Sequence, residues 1–210
     1  MGQISINKSK VLIVEGLDEV NFFTEYLSYL KLMEIQVIPY CGRGRLNEHI
    51  NDLIKLPGFD SINIIGFIQD ADFNTARSSF DSMVSVLNSY NIPCPDNPGG
   101  FATSSELKSG IFIMPNNQDE GMLEDLFLCI LSDTEKDIIS CIQGFQACFK
   151  NLPNCGLNQR NDVSKSLMLS YFAYRNPEVY RVGIGAQKGY FDFSHGCLSK
   201  IKEFLEELYQ

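Results

Sequence analysis

Apolar positions in residues 1–90 alternate between two periods. Val11 to Val14 is a continuous apolar run with the length of a buried strand, after which Val20, Phe23, Leu27 and Leu30 recur at helical spacing. Asp18 stands just ahead of that periodic segment, where a capping residue is expected. Ile35 to Pro39 reads as a second short strand, followed by the Gly-rich turn CGRGRL and a helix through Leu46, Ile50, Leu53 and Ile54. Ile62 to Ile68 is a third strand, and its nearly unbroken apolar character predicts a central parallel position covered on both faces. A helix carrying Phe80, Met83, Val84 and Leu87 completes a βαβαβα pattern, which predicts a doubly wound sheet.

Residues 91–100, NIPCPDNPGG, form a loop that no helix can cross. IFIMP then supplies another strand and GMLEDLFLCIL opens a helix. Further on, helical patterns cover 134–150, 161–175 and 198–209, broken by RNPEVYRVGIGAQKGYFDF. The expected fold class is α/β, Rossmann-like, with a mainly parallel sheet flanked by helices. Residues 1–132 form the core, and 133–210 form a helical extension packed on it within one structural domain.

Composition narrows the setting. A chain of 210 residues with 44% hydrophobic content has enough apolar material for a core. No opening run has the make-up of a signal peptide, and no apolar stretch reaches the eighteen or so residues of a membrane span, so a cytoplasmic location away from membranes is expected. The 7 cysteines are scattered without a C-x-x-C pair, which favours reduced thiols. Cys141, Cys148 and Cys155 recur every seven residues and read as small core residues on one helix face rather than as zinc ligands. With His49 and His195 the only histidines, a histidine-rich metal site is not expected either. A net charge of −9 weighs against a stand-alone, tight nucleic-acid binder. It is compatible with a nuclease whose carboxylates are neutralised by divalent metal, or whose partner brings the basic surface.

The candidate chemistry lies where strands end. Glu15 closes the first strand and Asp70 and Asp72 close the third; the carboxyl ends of neighbouring strands in open α/β sheets form the usual ligand crevice. Asp70 and Asp72 share a face if their segment stays extended. Hard oxygen donors gathered at one place suit Mg²⁺, or Mn²⁺, and phosphoryl transfer is the natural reaction class. Glu124 and Asp125, in the first turn of the helix opened by GMLEDLFL, either add to this set or merely complement the helix dipole. CGRGRL is either a phosphate-binding nest with Arg43 and Arg45 as substrate contacts, or a tight strand-to-helix turn.

In order and spacing, VEGxxE at Glu15 and Glu19, the later DxD of Asp70 and Asp72, and the acidic helix beyond resemble the TOPRIM fold of topoisomerases, bacterial primases and OLD-family nucleases. IFIMPNNQDEGMLEDLF and VGIGAQKGYFDF more closely resemble a TOPRIM-related family of unknown function made of short stand-alone prokaryotic proteins, over almost the whole chain. The resemblance implies metal-dependent phosphodiester hydrolysis of nucleic acid, with DNA the first candidate over RNA, although the residues alone do not choose between them. Glu15, Asp70 and Asp72 would hold the cations, Glu19 would bind a second metal or orient the attacking water, and Glu124 would be a further ligand. A late lysine in OLD-type domains points to Lys188 as the catalytic cation, with Lys165 the second candidate and a substrate contact. OLD-type enzymes join this domain to an ABC-like ATPase; the chain contains no G-x-x-x-x-G-K-[ST] loop, so an ATPase would be a separate partner, and an oligomer is left open. The competing readings are a haloacid-dehalogenase-type phosphatase with Asp70 as nucleophile, a receiver domain, and a catalytically silent, metal-binding scaffold for a partner.

Overall fold

The computed structural model describes residues 5–40, 46–150, 152 and 160–210, without the side chains of 160–162. Arg43 and Arg45, and with them the reading of CGRGRL as a nest, lie outside the described residues, as does Cys155. The strands are β1 (Lys10–Val14), β2 (Ile35–Pro39), β3 (Ile64–Asp70), β4 (Phe101–Thr103) and β5 (Lys108–Met114). The helices are α1 (Leu17–Tyr29), α2 (Leu46–Leu53), α3 (Ala76–Asn88), α4 (Leu123–Thr134), α5 (Lys136–Lys150), α6 (Arg160–Arg175), α7 (Val182–Gln187) and α8 (Ser199–Tyr209), with short 3-10 turns at Phe59–Ser61 and Gly196–Leu198.

The sheet runs β2-β1-β3-β5-β4, parallel except for β4, which pairs antiparallel with β5 at the edge. Strand alternation sorts the core into two layers. Val11, Ile13, Ile65 and Phe67 face α2 and α3, where Ile50, Leu53, Phe80, Met83 and Leu87 cover them. Leu12, Val14, Ile68, Phe112 and Met114 face the opposite layer, built from α1 and α4 through α8. The expected α/β class and doubly wound sheet are therefore present, with the last helix seated on the sheet itself. Among the described residues no helix is long and apolar enough to cross a membrane.

That last helix needs bare backbone beneath it. A Cβ on Gly66 of β3 would lie 2.7 Å from the Tyr209 hydroxyl, and one on Gly110 of β5 would lie 3.0 Å from Phe204. The Tyr209 hydroxyl donates to the Val11 carbonyl at 2.7 Å, while Lys10 and Lys108 donate to the Tyr209, Glu207 and Leu208 carbonyls that α8 leaves open.

Several local expectations are corrected. β3 lies at Ile64–Asp70 rather than at Ile62 to Ile68, because Ile62 closes the preceding 3-10 turn. β4 escapes the pattern because three residues are too few to show alternation, and α7 because VGIGAQ carries two glycines. Asp18 is not the cap of α1: Gly16 holds that position without a side-chain bond, and Asp18 sits inside the first turn. The thiols are not all reduced, since Cys129 of α4 and Cys197 form a disulfide across a separation of 68 residues, with Cα atoms 6.3 Å apart. Cys141 and Cys148 are exposed rather than core residues, because the buried stripe of α5 runs through Ile139, Ile142 and Gln146.

Candidate functional site

Two strand ends and four helices line one crevice. β1 delivers Glu15 directly after Val14, and Gly16 follows in extended conformation at φ −146°. A Cβ on Gly16 would stand 3.0 Å from Glu19 Oε2, so the Glu19 side chain folds back close beside the start of α1. β3 ends on Asp70, which lies two residues beyond Ile68 and so on the same side of the sheet as α1 and α4. α4 begins with Leu123 and Glu124, and α6 brings Lys165 over the opening. α7 places Arg181 just ahead of its first turn; a Cβ on Gly183 would come within 2.5 Å of the Asp18 carbonyl oxygen, which fixes α7 hard against α1.

The resulting cavity encloses about 630 Å³. Glu15, Asp18, Glu19, Asp70 and Glu124 supply its acidic side, Lys165 and Arg181 its cations, and Met168, Leu169, Phe172 and Val182 an apolar wall. Of the residues singled out in the sequence, Glu15, Glu19, Asp70, Glu124 and Lys165 thus meet in one place. Asp72 and Lys188 do not line this cavity. The extended path that would have aligned Asp72 with Asp70 ends at Asp70: Asp72 takes φ 57°, its N–H donates to the Gly121 carbonyl at 2.8 Å, and its side chain is buried in that turn. Lys188 closes the C-terminal end of α7 and is exposed.

Crowded carboxylates in partial burial resist ionisation. Burial, followed by the charges of Glu19, Glu15, Glu124 and Asp72, holds the Asp70 carboxyl well above the usual range. Glu19 is pushed up to about 7, first by burial and then by Glu15, Asp18 and Glu124. Glu124 is raised by burial, against a lowering pull from Lys165, and Asp18 by burial, against Arg181 and the Gly183 amide. Tyr40, at the end of β2, is buried against the same acids, and its hydroxyl is held above its ordinary value by burial and then by Glu15, Asp70, Glu19 and Asp72.

Asp125 has a different task from its neighbour Glu124. Its Oδ2 accepts from the Met122 N–H at 2.9 Å, closing the first turn of α4, and its Oδ1 accepts from the Ser164 hydroxyl at 2.7 Å. This ties α4 to α6 one residue away from both Glu124 and Lys165, and so sets the distance across the cavity.

The profile of a family described as "Protein of unknown function (DUF3226)" matches residues 9–210. The chain belongs to the DUF3226 family. Among solved structures, this DUF3226 chain is similar to the C-terminal region of the Xanthomonas campestris pv. campestris OLD protein, at 14% identity over 95% of each chain with a TM-score of 0.47. It is also similar to the C-terminal region of the Burkholderia pseudomallei OLD protein, at 13% identity over 98% of this chain and 100% of that one, with a TM-score of 0.46. No curated protein matches.

The DUF3226 cavity suits a hard cation in the chemistry of its donors. They are all carboxylate oxygens, burial and then mutual repulsion raise the Asp70 and Glu19 carboxyls, and Asp18 Oδ1 is buried without a hydrogen-bond partner. Among the described residues no three His, Cys, Asp or Glu side chains are already gathered as a coordination cluster, so closing on an ion requires side-chain rotation. Sequence reading missed Asp18 as a cavity residue, Arg181, Tyr40 and the apolar wall. Asp18 carried a signal, since it lies one turn position from Glu19 in the same acidic corner; Arg181 carried none, being one cation within an aperiodic stretch.

Proposed function

We propose that this chain hydrolyses phosphodiester bonds in nucleic acid, DNA before RNA, with Mg²⁺ or Mn²⁺ as cofactor and its acids in a TOPRIM-like arrangement. The observation that carries this reading is the convergence of Glu15, Glu19, Asp70 and Glu124 on one cavity that Lys165 and Arg181 also line. Carboxylates alone would repel a phosphate, and cations alone would hold one without activating it. Glu15, Asp70 and Glu124 would hold the metal, with Asp18 Oδ1 as an added donor. Bound there, a divalent cation supplies Lewis-acid polarisation of the phosphate and a more acidic water. Lys165 and Arg181 bind the phosphate oxygens and stabilise the charge that grows on them during attack. Glu19 orients the attacking water and takes up its proton, a role that suits a carboxyl raised to about 7. The net charge of −9 supports a partner, such as a separate ATPase, contributing basic surface for long substrates.

The test is cleavage of supercoiled plasmid and of labelled single- and double-stranded DNA and RNA with Mg²⁺ or Mn²⁺, comparing wild type with Asp70→Asn. The expected result is metal-dependent cleavage that falls by roughly a hundredfold or more in the variant. Metal binding without cleavage in any condition would instead favour a regulatory scaffold.

A further inference from the structure

The cavity holds more than a phosphate needs. Its acids lie at the ends of β1 and β3 and at the starts of α1 and α4, but its lining also holds the exposed Leu169 of α6, beside the core side chains Met168, Phe172 and Val182. A hydrated phosphate gains nothing from such side chains, whereas a nucleobase presents a flat apolar face on each side. The mouth continues the theme. Leu17, Leu169 and Tyr180 are 58%, 52% and 59% exposed around it, and the Arg181 guanidinium lies 5.5 Å from the centre of the Tyr180 ring, forming a stacked platform beside the phosphate-binding cations. The volume of about 630 Å³ is that of a site for one small-molecule-sized group. Lys165 and Arg181 are the cations on its walls among the described residues, so few backbone phosphates are neutralised here and affinity has to come from the base.

We propose that Leu169 and the Tyr180–Arg181 platform receive the base of an unpaired nucleotide, making single strands and frayed ends, rather than the interior of an intact duplex, the substrate of this site. This rests on the nuclease reading above. A paired nucleotide would have to leave its stack to bring its phosphate over Asp70 and Glu15 with its base against α6, at the cost of unpairing; an unpaired one enters freely.

The experiment is fluorescence anisotropy with a labelled oligothymidylate strand and a labelled blunt hairpin duplex, in Ca²⁺ to limit cleavage, using wild type, Tyr180→Ala, Leu169→Ser and Asp70→Asn. The first two variants alter exposed side chains, and thermal melts confirm their folding. Wild type is expected to bind the strand at least about tenfold more tightly than the duplex, and Tyr180→Ala and Leu169→Ser each to weaken strand binding by about tenfold with an unchanged Mg²⁺-induced melting shift. Equal affinity for strand and duplex, or wild-type strand affinity in both variants, would overturn the base pocket. A different outcome sinks the underlying nuclease reading: an Asp70→Asn protein whose melting responds to Mg²⁺ as fully as wild type. If no oligonucleotide binds at all, both fall.

Discussion

Glu19 links the electrostatics of the site to the stability of the chain. Its carboxyl moves from 4.5 to about 7 on folding, because burial and the charges of Glu15, Asp18 and Glu124 oppose its ionisation. Between those values the folded chain keeps a proton that the unfolded chain has released, so stability falls as pH rises through the window and stays low above it. The shift corresponds to roughly 3 kcal/mol. In calorimetric melts without metal, wild type is expected to lose stability relative to Glu19→Gln between about pH 4.5 and about pH 7. Mg²⁺ should restore more of it at the upper pH than at the lower, since a cation binds the ionised form. A wild-type-minus-variant difference that is flat or rises with pH would remove this account. Much of this local chemistry is legible in the linear sequence: Glu15 and Asp70 follow apolar runs, and strand ends are where such sheets present ligands. Asp72 shows where that legibility stops. Its spacing from Asp70 promised a shared face, but its N–H bond to the Gly121 carbonyl and φ of 57° turn it into the next loop.

The helices that roof the cavity are held by close contacts rather than by strong propensity. α7 is six residues long and contains Gly183 and Gly185; it stands because Gly183 lets it rest on the first turn of α1. Gly183→Ala would drive a Cβ to 2.5 Å from the Asp18 carbonyl oxygen and 2.7 Å from Asn21 Cβ, both on α1. The expected cost is about 1–3 kcal/mol in denaturant unfolding, with a weaker grip on phosphate because Arg181 moves with α7. Gly196→Ala, whose Cβ would meet nothing within 4 Å, serves as the control and should stay within about 0.5 kcal/mol of wild type. An unchanged Gly183→Ala protein would mean that α7 is not clamped in this way. Helical periodicity identified α4, α6 and α8, whose buried stripes are long enough to register. It passed over α7 and β4 because their order comes from neighbours distant in the chain.

The two-layer core makes α8 part of the fold rather than an appendage. Ile201, Phe204, Leu205, Leu208 and Tyr209 are buried against β3, β5 and their surroundings, and Tyr209 also donates to Val11 near the other end of the chain. At about 1.5–3 kcal/mol for each fully buried large side chain, their removal approaches or exceeds the net stability of about 5–15 kcal/mol typical of a domain. A chain ending at Leu198 is therefore expected to lose its cooperative calorimetric transition, and a truncated chain that still melted sharply near the wild-type temperature would refute this placement. The α/β class, the parallel order of the early strands and the acids at their ends were all present in the linear pattern, because periodicity records which face of each element is buried and a strand end is a local position. The pairing of Cys129 with Cys197, the turn of Asp72, the seating of α7 on α1 and the arrival of Lys165 and Arg181 in the same cavity as Asp70 were not. Each joins segments far apart in the chain, and which of them meet is set by how side chains and bare glycines pack between layers, a property of the folded interior that no local run of residues carries.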